Sequence, residues 1–456
     1  MANSRKLNSV NLARQVEECL STLLPAGSSI LVGLSGGVDS VVLLHLLHQI
    51  APRFFWKINA LHVHHGISPN ADCWADFCAA LCARLNIPLC IERVDIAPLR
   101  AQGLEAAART LRHAAFANQY CDFVALAHHA DDQVETLFLQ LLRGAGVKGA
   151  SAMPVLSKAD GPALSGYTGR HKVVRPLLHS PRQEILVYAA EHDLQWVEDE
   201  SNADDSYPRN FLRHQLLPLL GEKFPAYRDT LTRSTQHFAE AGELLDDLAR
   251  IDAGQAMSAE TLSVAALQAL SLPRAKNLLR YYLHRLGASM PQVVQLDDIL
   301  HQLCGARDDA AVCIRFGGGE WQVRRYQGRV YALRAPGEFD RNLVLTWQGE
   351  AALDWPATGT NIRFLQAVGQ GISLAKLQRA KVTLRQRRGG ESLRPSSNAA
   401  TRTLKNLLQE HRVPPWQRDR LPLLYCGEEL VCVPGVAIAA EYQSAEGVAG
   451  ILVQLA

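Results

Sequence analysis

The sequence predicts an α/β fold: a doubly wound parallel sheet, then a mostly helical middle domain and a small α+β C-terminal domain. Apolar strand-like runs alternate with stretches of helical periodicity in the first half, which is typical of a parallel sheet covered on both faces. A glycine-rich turn after the first apolar run is a second indication, because ligands of such sheets bind beyond the carboxyl ends of the strands. At 456 residues, the chain is long enough for two or three domains with separate cores.

Apolar runs and their spacing give the elements of the first half. The expected strands span residues 29–34, 58–64, 88–94 and 123–127. The expected helices span residues 38–50, 70–85, 104–119, 132–142 and 181–192. Residues 157–172 are rich in Gly, Ser, Pro and Lys, and they therefore predict a flexible surface loop.

The second half predicts two smaller domains. We expect it to be mostly helical up to residue 306 and then to form short strands at 312–316, 319–323 and 329–333. Ala335, Pro336 and Gly337 mark a linker, after which short strands accompany a helix at 402–411. The expected domains are 1–220, which contains the parallel sheet, 221–335 and 343–456.

Composition and charge are those of an ordinary soluble globular protein, with 48% hydrophobic residues, 20% charged residues and a formal net charge of +2. With so small a net charge, nucleic-acid binding requires a local basic face. We find no signal-peptide core and no apolar window of membrane-spanning length, and we therefore expect a cytoplasmic protein. The ten cysteines include no C-x-x-C pair, and Cys78 and Cys82 are expected to be buried free thiols.

The turn Ser-Gly-Gly-Val-Asp-Ser at residues 35–40 predicts a phosphate-binding loop between a strand and a helix. Such a turn directs backbone N–H groups and the positive end of the helix dipole at one point, and its glycines let the backbone approach an anion. No Walker A lysine follows, and the alternative is an ordinary turn in which Asp39 stabilises the helix start. The candidate nucleotide-binding residues are Ser35, Gly36, Gly37, Val38, Asp39 and Ser40.

A second polar cluster follows the expected strand at 123–127 and opens a helix. His128, Asp132 and Glu135 stand at i, i+4 and i+7, so we expect them on one helical face. Two carboxylates and an imidazole can hold Mg²⁺ or accept a proton. The alternative is a solvated helix start whose acids complement the dipole, but two histidines followed by three acids favour a functional site.

Two arginines near this cluster, Arg109 and Arg143, have both a structural and a functional interpretation. Glu105 and Arg109 form an i, i+4 pair, so a surface salt bridge is the simpler interpretation of Arg109 taken alone. Arg143 precedes glycines that cap the end of the helix, and its side chain reaches either a phosphate or the helix carbonyls.

The C-terminal segment is dense in cations and includes Trp416, as expected for contacts with phosphates and stacked bases. Without other information, a solvated basic surface is an equally good interpretation. The basic residues are Lys381, Arg385, Arg387, Arg388, Arg394, Arg402, Lys405, Arg412, Arg418 and Arg420.

Several motifs together resemble a known family. The turn at 35–40 is similar to the PP-loop of the ATP pyrophosphatase superfamily, an adenine nucleotide alpha-hydrolase-like fold whose members cleave ATP to AMP and pyrophosphate while adenylating a substrate oxygen. Within it, the chain resembles the tRNA(Ile)-lysidine synthetases over nearly its whole length. The motifs are SGGVDS (35–40), HVHHG (62–66), GLEAAAR (103–109), HHADDQVETLFLQLLRGAGVKG (128–149), RPLL (175–178), WVEDESN (196–202), YPRN (207–210), RRGGE (387–391), LKNLLQ (404–409) and VPPWQRDRLP (413–422). Glu200 departs from the proline more common in the family, which is expected to loosen that loop.

This resemblance implies a reaction and a set of roles. ATP adenylates the C2 oxygen of the wobble cytidine in a CAU anticodon of tRNA(Ile), and free L-lysine then displaces AMP to give lysidine. The PP-loop residues hold ATP and its Mg²⁺, with Asp39 at the metal. His128, Asp132 and Glu135 would line a pocket for lysine and the reacting cytosine, with Asp132 as the general base. Arg109 and Arg209 would offset the phosphate charge. The sequence leaves open whether the protein is a homodimer.

Three alternatives remain at this point. A tRNA thiolase of the cluster-binding type would carry a C-x-x-C motif, which this sequence lacks. A small-molecule amide synthetase would carry an ammonia source, and position 2 has no catalytic cysteine. A non-catalytic RNA binder that merely senses nucleotide would need no lysine and release no pyrophosphate.

Overall fold

The computed structural model describes residues 9–158, 171–258, 260–307, 310–335, 337 and 340–455. The chain divides into two compact units, Met1–Asp247 and Leu248–Ala456. No helix among the described residues is long and apolar enough to cross a membrane.

The first unit is built on a six-stranded sheet with the order β3-β2-β1-β4-β6-β5. All neighbouring strands pair in parallel except β5, which lies antiparallel to β6 at one edge. The strands are β1 (Ser29–Gly33), β2 (Lys57–His64), β3 (Leu89–Arg93), β4 (Phe123–Ala125), β5 (Leu156–Lys158) and β6 (Lys172–Val174). The prediction of a loop over 157–172 was wrong at both ends, because the backbone there completes the sheet edge; residues 159–170 lie outside the described residues.

Helices cover both faces of this sheet. Ile30 and Val32 of β1 belong to one apolar core, whereas Leu31 between them belongs to a second core on the opposite face, as the two-residue period of a strand requires. Both faces are therefore buried, and the predicted doubly wound sheet is confirmed. The helices of this unit are α1 (Ser9–Leu23), α2 (Val38–Phe54), α3 (Ala71–Arg84), α4 (Leu104–Ala117), α5 (Ala130–Leu142), α6 (Val147–Ala150), α7 (Arg182–Glu191), α8 (Pro208–Phe211) and α9 (Leu217–Lys223). A further helix, α10 (Tyr227–Ala253), begins in the first unit and ends in the second.

The strand order brings the two predicted polar motifs together. β1 pairs with β2 on one side and with β4 on the other, so the order of the chain reverses between β1 and β4. Ligands of doubly wound sheets bind at such a reversal, outside the carboxyl ends of the strands. The turn at 35–40 follows β1, and the cluster that begins at His128 follows β4.

The described part of the second unit contains two large apolar cores and a smaller one around α15 (Leu404–Glu410) and β18 (Leu423–Cys426). One large core is formed by helices and a four-stranded antiparallel sheet, β7-β10-β9-β8. Its elements are β7 (Thr261–Ser263), α11 (Val264–Gln268), α12 (Leu272–Arg285), α13 (Val293–Gly305), β8 (Cys313–Phe316), β9 (Trp321–Tyr326) and β10 (Arg329–Arg334). This agrees with the predicted mostly helical middle segment and its three late strands, and Ser263 caps α11 through its side chain.

The other large core lies between short antiparallel sheets near the C-terminus, ordered β11-β15-β18-β19-β20 and β12-β13-β21-β14. The expected α+β architecture of this segment is confirmed, with α15 close to the predicted helix. Its elements are β11 (Val344–Thr346), β12 (Ala352–Trp355), β13 (Thr360–Val368), β14 (Ile372–Ser373), α14 (Leu374–Leu377), β15 (Val382–Arg385), β16 (Ser392–Leu393), β17 (Arg402–Thr403), α15 (Leu404–Glu410), α16 (Pro415–Arg418), β18 (Leu423–Cys426), β19 (Glu429–Val433), β20 (Ala437–Ile438) and β21 (Ala449–Leu455).

Candidate active site

The turn at 35–40 has a backbone that requires glycine at its second position. Gly36 has φ of +91°, a conformation that L residues rarely adopt. A Cβ atom at Gly36 would lie 2.8 Å from Cγ2 of Val197, and the Val197 N–H donates to the Gly36 carbonyl at 3.0 Å. The segment that contains Val197 therefore supports the turn from behind.

Hydrogen bonds within the turn fix its conformation. The Ser40 hydroxyl donates to the Gly37 carbonyl at 2.9 Å and accepts the Ser35 N–H at 3.2 Å, which makes the buried Ser40 part of the frame. Gly37 is the N-cap of α2, so the N–H groups of the first helical residues, beginning with Val38, have no acceptor within the helix. These groups and the helix dipole form a site for a phosphate.

Asp39 lies in the first turn of α2, and one of its carboxylate oxygens is not hydrogen-bonded to any described residue. Its Oδ1 atom is buried and has no hydrogen-bond partner among the described residues. Burial raises the pKa of Asp39, while the neighbouring His129 and Arg182 lower it. A buried carboxylate oxygen of this kind is a natural ligand for a divalent cation.

His129, which the sequence analysis did not select, lies among the acidic side chains. It is the N-cap residue of α5 and is almost fully buried. Its ring nitrogens lie 3.7 Å from Oδ2 of Asp39, 3.8 Å from Oδ2 of Asp131 and 3.5 Å from Oδ2 of Asp132. The imidazole therefore connects the phosphate loop with the first turn of α5.

His128 occupies a different position from the one predicted. Since α5 begins at Ala130, His128 precedes the helix, and the expectation that it shares a helical face with Asp132 and Glu135 was wrong. The physical reason is that the chain is still non-helical where it leaves β4. His128 is nevertheless close enough to Asp132 for their charges to interact.

The surroundings of His128 keep its ring neutral. Burial lowers the pKa of His128 to about 3, and the cationic side chains of Arg175, Arg209 and Arg109 add to this effect, whereas Asp132 opposes it. Its Nδ1 atom is buried without a hydrogen-bond partner among the described residues. A neutral imidazole can accept or donate one hydrogen bond to a ligand.

Asp132 and Glu135 do share a face of α5, as predicted, and both contact Arg213. Arg213 donates from Nε to Glu135 Oε1 at 2.7 Å and from a terminal nitrogen to Glu135 Oε2 at 3.1 Å and Asp132 Oδ1 at 3.4 Å. Arg209 adds a contact of 3.3 Å from Nε to Glu135 Oε2 and donates to the Thr136 hydroxyl at 3.0 Å. Glu135 has no exposed surface, and burial raises its pKa against the effect of Arg213.

Asp132 is the more accessible of these two carboxylates. Its Oδ2 accepts the N–H of His129 at 3.0 Å, which is a capping contact at the start of α5. Burial alone would raise the pKa of Asp132, but the combined effect of His129, His128 and the backbone N–H lowers it. Asp132 is therefore held as a carboxylate, which suits a side chain that receives a cation.

The other predicted arginines, Arg109 and Arg143, lie at the surface of the first unit. Arg109 lies exposed on α4 and acts on His128 through its charge; the side chain of Glu105, its expected partner, lies outside the described residues. Arg143 is the C-cap of α5, followed by Gly144 with φ of +72°, so the predicted glycine cap is confirmed. The Arg143 side chain is exposed.

Glu200, which stands where proline is more common in the family, makes side-chain contacts in the structure. Its carboxylate accepts hydrogen bonds from the Asn70 side-chain amide and, at 3.3 Å, from the Ser68 hydroxyl. These contacts tie the segment that supports Gly36 to the residues preceding α3. The loop thus gains side-chain contacts that a proline could not make.

Sequence reasoning missed three residues of the site: His129, Asp131 and Arg213. Asp131 accepts the backbone N–H of Arg182 at 3.0 Å and a hydrogen bond from Nε of Arg228. A signal for Arg213 was available, because it stands four residues after Arg209 in a stretch with helical periodicity. Nothing in the local sequence pairs Arg213 with residues of α5, since that contact depends on tertiary packing.

The basic C-terminal segment is mostly engaged in the protein's own contacts. Trp416 packs edge-on at ring-centroid distances of 6.1 Å from Tyr326 and 5.2 Å from Tyr331, with Arg324 over its face. Six of the ten cations bond to carboxylates or backbone carbonyls, namely Arg385, Arg387, Arg394, Arg402, Arg418 and Arg420. The exposed cations without a side-chain partner among the described residues are Lys381, Arg388, Lys405 and Arg412.

Comparisons with known proteins cover almost the whole chain. Residues 8–220 match the PP-loop domain family, 262–331 the TilS substrate binding domain and 382–455 the TilS substrate C-terminal domain. The tRNA(Ile)-lysidine synthase of Nitrosomonas europaea is 44% identical over 453 residues, which are 99% of this chain and 97% of that protein. The enzyme of the same name from Azoarcus sp. strain BH72 is 40% identical, covering 97% of this chain and 95% of its own, and that from Coxiella burnetii is 36% identical, covering 93% and 92%.

Proposed function

This chain belongs to the tRNA(Ile)-lysidine synthase family, and on that premise we propose that it is an ATP-using ligase that attaches free L-lysine to tRNA(Ile) to form lysidine. The observation that carries the proposal is the phosphate loop beside a carboxylate-rich helix start, both at the point where the strand order reverses. The loop suits the nucleotide, and the carboxylates suit a cationic substrate.

The first step is adenylation of the wobble cytidine in the CAU anticodon. The C2 oxygen of the base attacks the α-phosphorus of ATP, and pyrophosphate leaves. The N–H groups at the start of α2 would hold the phosphates, and Arg209 and Arg109 would offset the negative charge. The base has to leave its stack to reach the phosphorus, as bases do in other enzymes that modify them.

The second step transfers lysine. The ε-amine nitrogen attacks C2, AMP departs with the former C2 oxygen, and the nitrogen loses its protons to a base. Because the ε-amine has a pKa of roughly 10.4, it arrives mostly protonated and needs a carboxylate to hold it and to accept a proton. We assign this role to Asp132, with the neutral His128 beside it as a hydrogen-bonding group for the base or lysine.

Mg²⁺ fits this site. The partnerless Oδ1 of Asp39 is the oxygen that would hold it, and the ion would supply charge neutralisation for the phosphates of ATP.

The test of the function is pyrophosphate release by the purified full-length protein. We expect steady-state release from ATP only when both lysine and a tRNA with a CAU anticodon are present, together with incorporation of labelled lysine into tRNA(Ile). The control reactions contain ornithine instead of lysine, or a tRNA(Ile) with another anticodon. Equal turnover when either substrate is omitted would disprove the proposal.

We propose that the exposed C-terminal cations Lys381, Arg388, Lys405 and Arg412 bind tRNA phosphates. Replacing all four by glutamine should weaken tRNA binding. Each basic side chain that contacts a phosphate releases a counterion from the RNA, and this favourable contribution is lost when the side chain is neutral. The slope of log K against log salt should fall by about one unit for each such phosphate, with ATP binding unchanged. Filter binding at several salt concentrations measures this slope.

A matched control for the cation variant is Arg385→Gln with Arg402→Gln. These two cations are paired with Glu428 and Glu410, so their removal should change the salt slope less. Unchanged tRNA affinity in the fourfold variant would mean that this surface is only solvated.

Domain boundaries, location and assembly are also proposed. The domains are 1–220, 221–335 and 343–456; the separate apolar cores on either side of residues 335–343 support the second boundary, whereas the described residues divide after Asp247 rather than at 220. The proposed location is the cytoplasm. A homodimer is the assembly to test, by sedimentation of the purified protein.

A further inference from the structure

Glu135 is a fully buried carboxylate whose two oxygens are already occupied. Oε1 accepts from Nε of Arg213 at 2.7 Å, and Oε2 contacts Arg213 at 3.1 Å and Arg209 at 3.3 Å. A substrate ammonium group could reach Glu135 only by displacing an arginine. Breaking such a pair is costly, because it leaves an uncompensated charge in the protein interior.

Arg213 also contacts Asp132, the neighbouring carboxylate on the same face of α5. The distance from its terminal nitrogen to Asp132 Oδ1 is 3.4 Å, longer than both of its bonds to Glu135. Arg213 lies in a π-helical turn, Leu212–Leu216, between α8 and α9. Turns of this kind are rare and occur often at functional sites.

We propose that Arg213 is a positioning residue for lysine transfer: by holding Glu135 in a bidentate pair, it leaves Asp132 as the carboxylate that receives the lysine ammonium group. This inference rests on the proposed function and deepens it, because it assigns different roles to two acids that the sequence could not distinguish. Glu135 holds the Arg213 guanidinium through two hydrogen bonds, and the guanidinium in turn orients the Asp132 carboxylate.

The planar guanidinium is what this arrangement requires. It donates two parallel hydrogen bonds to Glu135 and still directs an N–H towards Asp132. A lysine at position 213 would keep the charge but could not reproduce the fork. Without a cation at position 213, Asp132 would lose its guanidinium contact, and the two carboxylates on one helix face would repel each other and compete for the substrate ammonium group.

The experiment compares Arg213→Lys, Arg213→Gln and the double variant Arg213→Gln/Glu135→Gln in the full-length enzyme. A matched control is Arg274→Lys, since Arg274 forms a similar pair with the buried Asp252 in the second unit. Three readouts are measured: the pyrophosphate burst with ATP and tRNA but no lysine, the KM for lysine in steady state, and the Tm.

We expect Arg213→Lys to raise the KM for lysine about ten- to a hundredfold, the range for removal of one charge-assisted hydrogen bond, with a burst like that of the wild type. The Tm of Arg213→Lys should fall no more than that of the control Arg274→Lys, and the control should keep the wild-type KM for lysine.

In the double variant, a KM for lysine closer to the wild type than in Arg213→Gln would show that the arginine acts through Glu135. An unchanged KM in Arg213→Lys, or a KM in the double variant no closer to the wild type than in Arg213→Gln, would overturn the inference. Wild-type enzyme that makes no lysidine would instead refute the proposed function, and the two failures are therefore distinguishable.

Discussion

Replacing Asp39 by alanine should lower steady-state lysidine formation by about a thousandfold, equivalent to ~4 kcal/mol of transition-state stabilisation. The carboxylate lies in the first turn of α2, beside the N–H groups that would hold the phosphates, and its Oδ1 atom has no other partner among the described residues. Alanine removes the carboxylate that the loop offers to a cation on ATP. Binding of tRNA should remain close to the wild-type value, because the exposed C-terminal cations are unaffected.

The measurement for Asp39→Ala combines single-turnover adenylation with filter binding of tRNA. Asp76→Ala is the matched control, since Asp76 is an exposed acid on another helix of the same unit. Adenylation that persists at the wild-type rate in Asp39→Ala would remove this residue from the nucleotide site. A parallel drop in tRNA binding would indicate a folding defect, which circular dichroism would detect.

Replacing Asp132 by asparagine should slow lysine transfer by about a hundredfold or more, the contribution expected of a positioned general base. Asparagine keeps the shape of the side chain and can still cap α5, but it neither balances an ammonium group nor takes up a proton. The adenylation burst should remain, because it needs no lysine. The enzyme would then accumulate adenylated tRNA.

The check for Asp132→Asn is a two-stage assay in which adenylation is followed first and lysine is added afterwards. Asp193→Asn is the control, as Asp193 is an exposed acid in a left-handed turn where asparagine is tolerated. If Asp132→Asn transferred lysine normally, another group would have to be the base. If its burst vanished as well, Asp132 would belong to the adenylation step.

Local motifs predicted the main features of the site because each one depends on near neighbours in the chain. Gly36 requires a left-handed backbone, and an N–H cluster forms wherever a strand turns directly into a helix. Asp132 and Glu135 share a face because they are three residues apart in a helix. The prediction that His128 lies on the same helical face was wrong, because the residue spacing could not show that the helix begins only at Ala130.

Charge pairing was beyond the reach of local patterns. Four of the C-terminal cations turned out to hold carboxylates of the protein itself, and Trp416 packs on two tyrosines of β9 and β10. A basic, aromatic composition is the same whether such residues face RNA or each other. Only the fold distinguishes these cases, because many of the partners are tens of residues away along the chain.

The sequence by itself determined the sheet, the phosphate loop and the acidic helix start, because strand and helix periods and glycine conformations are set by residues close together in the chain. The tertiary structure alone decided which carboxylate is the more accessible. Arg213 reaches α5 from a segment 78 residues away and occupies Glu135, while His129 links Asp39 to Asp132 across two strand ends. The ionic state of a buried acid depends on the charges around it in space, and their positions follow from packing rather than from spacing in the sequence.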